Sequence, residues 1–248
     1  MSGHSKWHSI KHQKAAADAK RGAAFTKLAN AIALAAKKGG PDAETNFSLR
    51  LAIQKAKAAN MPAANIERSI KRGAGQLGSD QIEEITYEGY GPGGVALIIE
   101  TATDNRNRTG PDVRTALGKS GGRMADAGSV AYQFDQKGVI RLRPKDLEAA
   151  TLDAIEAGAD DVEEEDGELV IYTLPTQLNA VRTKLTEAGY EVNSAELAYL
   201  PKTTITVEDL KTAQQILRLM DALDDMDDVT ATHANFDFSD GLAESLGA

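Results

Sequence analysis

Apolar residues fall at helical spacing through the first third of the chain and then switch to alternation. Phe25, Leu28, Ile32 and Ala35 define one helical stripe, ended by Gly39-Gly40-Pro41, and Leu49, Ala52, Ile53, Ala56 and Ala59 define a second. Asn60-Met61-Pro62 breaks the chain before a short third helix carrying Ile66 and Ile70, which Gly73 and Gly75 close. With only Trp7, Phe25 and Phe47 as aromatics, this region predicts a small helical unit with a thin core. Period-two alternation follows. Ile82 to Glu88 and Val95 to Thr101 predict a hairpin joined by Gly89-Tyr90-Gly91-Pro92-Gly93-Gly94. Thr109 is placed to cap the next helix, with Asp112 at the capping-box position, Gly121-Gly122 ending it and a strand at Ser129 to Phe134.

Residues 138 to 200 have a complete pattern of their own. A strand at Val139 to Arg143 precedes a helix with Leu147, Ala150, Ala154 and Ala157, then a short strand around Val162 and a tight Asp166-Gly167 turn. Leu169 to Leu174 is the next strand, Leu178, Val181, Leu185 and Ala188 mark a second helix, and Tyr190 to Tyr199 is the last strand. Gly158 and Gly189 stop the two helices. The order βαββαβ is that of a ferredoxin-like split unit. Beyond Pro201 a strand, a helix with Leu210, Ala213, Leu217 and Met220, and a final strand near Val229 to Phe238 are available to complete the sheet begun at Ile82. The fold class is therefore α+β. At 248 residues the chain is long enough for two or three domains.

Charge changes the picture because it is segregated. Residues 1–78 carry 14 Lys and Arg against four acids, residues 79–145 carry nine of each sign, and residues 146–248 carry five bases against 24 acids. The net charge of −9 thus conceals a basic beginning and an acidic end, the pattern of a chain whose one end meets a polyanion. The absence of Cys excludes disulfides, thiolate metal sites and a Cys nucleophile. The start lacks the apolar stretch of a signal peptide, and no apolar run approaches a membrane span, so a soluble cytoplasmic protein with no membrane partner is expected.

Most candidate chemistry fails on geometry. Gly89, Gly91 and Gly94 satisfy G-x-G-x-x-G, but a strand follows where a pyrophosphate site needs a helix amino terminus. Gly118-Lys119-Ser120 ends a helix instead of starting one, which rejects a P-loop. His8 and His12 lie one helical turn apart, but no third ligand type accompanies them, so hydrogen bonding or phosphate contact is the better role for these imidazoles. The acidic runs Asp160 to Glu168 and Asp221 to Asp228 lack calcium-loop spacing. No catalytic constellation, metal site or cofactor is expected. The basic segment survives. Lys6, Lys11, Lys14, Lys20 and Arg21 crowd one stretch, and Lys20, Lys27 and Lys38 fall within about 20° of a common stripe on a continuous helix. Arg50 and Lys57 share a face of the second helix, and Arg68, Lys71 and Arg72 cluster on the third. Together with Trp7, which can stack on a base or dock the arm, and His12, these residues are the candidate nucleic-acid contacts.

At these residues the chain resembles the YebC/PmpR family, which includes the mitochondrial translational activator of cytochrome c oxidase. Gly3-His4-Ser5-Lys6-Trp7, Ile10-Lys11-His12, Asp18-Ala19-Lys20-Arg21-Gly22, Phe25-Thr26-Lys27-Leu28, Asn60-Met61-Pro62 and Asn65-Ile66-Glu67-Arg68 carry the resemblance. Tyr87 to Gly94 and Gly128-Ser129-Val130-Ala131-Tyr132 continue it. The resemblance implies three domains: a helical one at residues 1–78, an α/β one at 79–135 and 203–248, and an acidic ferredoxin-like one at 136–202 inserted in the second. It implies a non-enzymatic, DNA-binding transcriptional regulator. The alternatives are a translation factor on ribosomal RNA that relieves stalling on proline-rich sequences, and an adaptor whose acidic half recruits a basic protein. The oligomeric state is left open, with a monomer favoured.

Overall fold

The structure is a computed structural model that describes residues 21–78, 82–165, 167–239 and 241–242, with side chains from Phe25 onward. The chain divides into two compact units, Met1–Gln133 with Pro201–Ala248, and Phe134–Leu200. It is an α+β fold with a helical part, a mixed part and a ferredoxin-like part.

In the first unit, α1 (Arg21–Gly39), α2 (Phe47–Ala58) and α3 (Ala63–Gly73) follow the expected stripes. Ile32, Ala36, Leu49, Ala56, Met61 and Ile66 form their core, with Phe25, Leu28 and Ile53 packed on it. Asn46 joins two helices: its Oδ1 accepts from Leu49 N at 3.1 Å, capping α2, while its Nδ2 donates to the carbonyls of Ala35 and Gly40, both at 2.8 Å. Asn60 ends α2 in the left-handed region at φ 61°, a conformation asparagine tolerates better than most residues. Met61 then plugs the helical core, and Pro62 leads into α3. Where α3 crosses α1, a methyl group on Gly73 would fall on the Ala33 carbonyl. Gly→Ala on an open helix stabilises by about 0.5–1 kcal/mol. Gly73→Ala is instead expected to destabilise by about 1–3 kcal/mol, read as a lower urea midpoint, because the helices must part.

Strands β1 (Glu83–Tyr90) and β2 (Ala96–Thr103) form the expected hairpin, with a 3-10 turn at Pro92–Gly94. The short β3 (Arg123–Ala125), which the periodicity does not announce, pairs with the other edge of β1. From the far end of the chain, β9 (Val229–Ala234) pairs with β2, giving the order β3-β1-β2-β9. Strand β2 is covered on both faces, which explains the consecutive buried apolar residues Ala96 to Ile99 at its start. Leu97 and Ile99 pack with Val113 and Leu117 of α4 (Arg106–Lys119) and with Ile216 and Met220 of α7 (Leu210–Asp224), whereas Ala102 meets Ala33 of α1.

Three expectations need correction. Thr109 does not cap α4. Asn105 does, its Oδ1 accepting from Arg108 N at 3.2 Å, and Thr109 is buried one turn further in. Residues 129–133 are not a strand, and only Phe134 of the expected segment is, as the first residue of the strand that follows: the buried Glu88 carboxylate accepts from the N–H groups of Gly128, Val130 and Ala131 at 2.6, 2.6 and 2.9 Å. That folds the segment into a turn ending in a 3-10 helix at Ala131–Gln133. Finally, Val229 to Phe238 is two strands. Asn235, 2% exposed, accepts from Ala96 N through its side chain at 2.7 Å and from Ile205 N through its carbonyl at 2.7 Å. It thereby ends the pairing with β2, and β10 (Phe236–Phe238) runs parallel to β8 (Ile205–Val207) in a sheet of their own.

The second unit contains β4 (Phe134–Leu142), α5 (Leu147–Ala157), β5 (Asp161–Glu165), β6 (Glu168–Thr173), α6 (Leu178–Glu187) and β7 (Val192–Pro201). Its strand order β5-β6-β4-β7 is that of the ferredoxin-like fold. Ile140, Leu142, Ala150, Ala154, Leu169, Ile171, Val181 and Leu185 make its core. The last strand starts later than expected, because Tyr190 packs against that core and donates its hydroxyl to Asp153 at 2.6 Å.

Candidate nucleic-acid interface

Of the residues singled out as contacts, Lys6, Trp7, Lys11, His12, Lys14 and Lys20 lie outside the described residues, as does the side chain of Arg21 at the start of α1. The remaining six divide into two groups. Leu49 and Ala56 turn one side of α2 into the core, which leaves Arg50 and Lys57, two turns apart, in solvent. Likewise Ile66 and Ser69 face inward from α3, and Arg68 and Lys71 face outward one turn apart. Arg50 is held in place: its guanidinium lies 5.8 Å from the centroid of the Phe47 ring and donates to the Glu44 carbonyl at 3.2 Å. None of these four cations forms an ion pair with another described residue. Lys57 and Lys71 also sit in or beside the last turns of their helices, where positive charge suits the dipole by about 0.3–1 kcal/mol.

Lys27 and Arg72 have internal partners. Lys27 Nζ donates to the Asp224 carbonyl at 3.0 Å. Arg72 donates to Asn30 Oδ1 at 3.1 Å and pairs with Asp104 at 3.3 Å, and Arg108 links Asp104 at 3.3 Å to Asp228 at 3.0 Å. Asp228 is buried and also accepts from the hydroxyls of Thr103 at 3.1 Å and Thr109 at 2.6 Å. This chain of polar contacts ties the helices to the sheet within the first unit. It lines a cleft of about 1100 Å³, whose walls carry Lys27, Arg72, Arg108 and Lys119 but also Asp104, Asp112, Asp224, Asp225, Asp227 and Asp228. Acids outnumber bases there, which does not suit a phosphate backbone. Lys38, on the same helical stripe as Lys27, pairs with Glu84 at 2.6 Å. Sequence reasoning missed Asp104, Arg108 and Asp228 because their partners are far away along the chain and no local periodicity marks them.

The hairpin segment and the Gly128–Tyr132 segment, distant in sequence, meet at Glu88. Burial favours its neutral form, but the three backbone donors outweigh that and hold the carboxyl below its ordinary 4.5. Tyr90 donates to the Ser129 carbonyl at 3.2 Å, and the Arg123 guanidinium lies 5.0 Å from the Tyr90 ring centroid. The glycines between the strands therefore serve a turn, and β2 follows where a pyrophosphate site needs a helix. Among the described residues no group of three or more His, Asp or Glu side chains is placed to hold a metal ion; His8 and His12 lie outside them. No helix among those residues is long and apolar enough to cross a membrane.

Residues 5–76 match the model of the TACO1/YebC protein N-terminal domain, and residues 82–236 match that of the TACO1/YebC second and third domain. A "probable transcriptional regulatory protein" of Halothermothrix orenii is 48% identical over 250 residues, covering 99% of both chains. One of Herpetosiphon aurantiacus is 50% identical over 247 residues, covering 98% of each. The crystal structure of a conserved hypothetical protein from Aquifex aeolicus superposes with a TM-score of 0.81 at 43% identity, over 91% of this chain and 94% of that one.

Proposed function

The chain belongs to the TACO1/YebC family, and from that premise we propose that it is a non-enzymatic regulator of transcription that holds DNA through its helical part. The observation that carries this reading is the set of four cations, Arg50, Lys57, Arg68 and Lys71, exposed on two adjacent helices within a stretch of 14 bases and four acids. Such side chains neutralise phosphates and release counterions, which fixes the protein on the backbone without reading sequence. Lys6, Lys11, Lys14, Lys20 and Arg21 extend the same charge toward the amino terminus. Under this reading residues 1–78 form the binding domain, residues 79–135 with 203–248 form its support, and residues 136–202 form an acidic domain that takes no part in the grip.

The test is a salt titration of the full chain against duplex DNA and against structured RNA. Each phosphate contact contributes about −0.9 to the slope of log K against log salt, so the four described cations alone predict a slope of about −4. A slope near zero on both polymers would overturn the reading. Equal slopes with tighter binding to RNA would move the target from promoter to transcript or ribosome.

A further inference from the structure

We propose that the outward face of α5 in the ferredoxin-like unit is a docking surface for a basic amphipathic helix of another protein. The face is marked by an inversion. A surface helix ordinarily turns its large apolar residues inward and its small or polar ones outward. In α5 the core side carries only alanines at its centre and end, Ala150, Ala154 and Ala157, all buried. Leu152 and Ile155, one turn apart, are 63% and 56% exposed. Isolated exposed leucines are unremarkable. Here the two largest apolar side chains of the helix interior share the solvent face, with the exposed Ala149 beside them, while the helix meets the core there through Ala150, Ala154 and Ala157, and Leu147, Val181 and Leu185 supply the larger side chains.

The surrounding charge selects the occupant. Glu148 and Glu156 are exposed at the two ends of this stripe, and the unit as a whole has fifteen acidic and six basic residues. Nucleic acid and anionic lipid are repelled by such a rim. A second copy docking through the same face would set Glu148 and Glu156 against their own counterparts, the like-charge juxtaposition that a two-fold contact imposes. A helix with apolar residues at i, i+3 or i+4 and lysines or arginines on its flanks satisfies both parts of the surface. This inference is independent of the nucleic-acid reading, since it concerns the other end of the charge distribution.

The experiment has two arms, both on the full chain. In the first, a synthetic amphipathic peptide with leucines on one face and lysines on the other is titrated by fluorescence anisotropy. Leu152→Glu with Ile155→Glu is expected to weaken its binding by at least about tenfold, with thermal melting unchanged. Glu148→Lys with Glu156→Lys, which leaves the apolar pair intact, is expected to weaken it as well. Equal binding by either variant overturns the proposal, as does equal binding of a peptide in which serine replaces leucine, because then only bulk charge attracts. In the second arm a photo-crosslinking side chain replaces Leu152 in cells, and the attached peptide is identified. A segment of another protein, net positive and with apolar residues at helical spacing, is the supporting result. Attachment to a second copy of this chain, to nucleic acid or to lipid, or no product beyond that obtained with the probe at Thr183, overturns it.

Discussion

Replacing Arg50, Lys57, Arg68 and Lys71 together by glutamine is expected to lower the affinity of the full chain for duplex DNA by about four thousandfold at 0.1 M salt. The magnitude follows from counterion release. A slope of about −0.9 per contact makes each phosphate contact worth roughly eightfold between 1 M and 0.1 M salt, and four such contacts multiply to about that factor. The slope of log K against log salt should flatten by about four in the same variant. Because the four side chains are exposed and hold no ion pair with another described residue, the quadruple variant should lose only the helix-end charges of Lys57 and Lys71 and the Arg50–Phe47 contact, about 1 kcal/mol in all, read as a slightly lower urea midpoint. Arg72→Gln should behave in the opposite way. It leaves Asn30 and Asp104 short of a donor, so stability falls by about 1–2 kcal/mol while the salt slope changes little. A quadruple variant that keeps the parental slope would show that these cations are merely solvated.

The second large effect belongs to Glu88. Glu88→Gln puts an amide N–H₂ where a carboxylate oxygen now faces backbone N–H groups, and at least one of the Gly128, Val130 and Ala131 donors loses its acceptor. The expected loss is about 2–4 kcal/mol, which in a chain of this length lowers Tm by roughly 5–15 °C. The pH dependence has a definite sign. With the folded carboxyl held below its ordinary 4.5, the contribution of Glu88 to stability is complete above that value and declines as pH falls below it, until it is lost beneath the folded-state pKa. Urea denaturation of the parent and of Glu88→Gln should therefore diverge above pH 4.5 and converge in acid. Parallel profiles through that range would remove Glu88 from its assigned part.

Much of the fold was legible in local pattern. The three helical stripes, the β1–β2 hairpin and the βαββαβ order depend on burying one face of a regular element, and a one-dimensional period records that. What escaped was set by polar bonds between distant residues. Ser129 to Phe134 alternates like a strand, but its N–H groups have a better acceptor in Glu88, some forty positions earlier. Thr109 stands at a plausible cap, but Asn105 reaches the free N–H of Arg108 first, and the threonine hydroxyl is drawn to Asp228. Asn235 divides one apolar run between two sheets. The candidate interface was legible to the same extent. The sign of the charge could be counted, whereas the bonding of Lys27 and Arg72 to groups on the sheet side could not, since Asp224 and Asp104 give no sign in the sequence of where they will lie.

The pairing of β2 with β9 has a consequence during biosynthesis. When residue 103 has left the exit tunnel, β1 is present but the strand that covers the other edge of β2 will not be polymerised until residue 234. At about 5–20 residues per second, that interval is on the order of ten seconds. Throughout it the nascent chain displays the bare backbone of Ala96–Thr103, an apolar template for pairing with neighbouring nascent chains. The inserted unit, complete by Pro201, is finished first. The host sheet is thus closed last, by a segment that arrives after a whole independent core has been made.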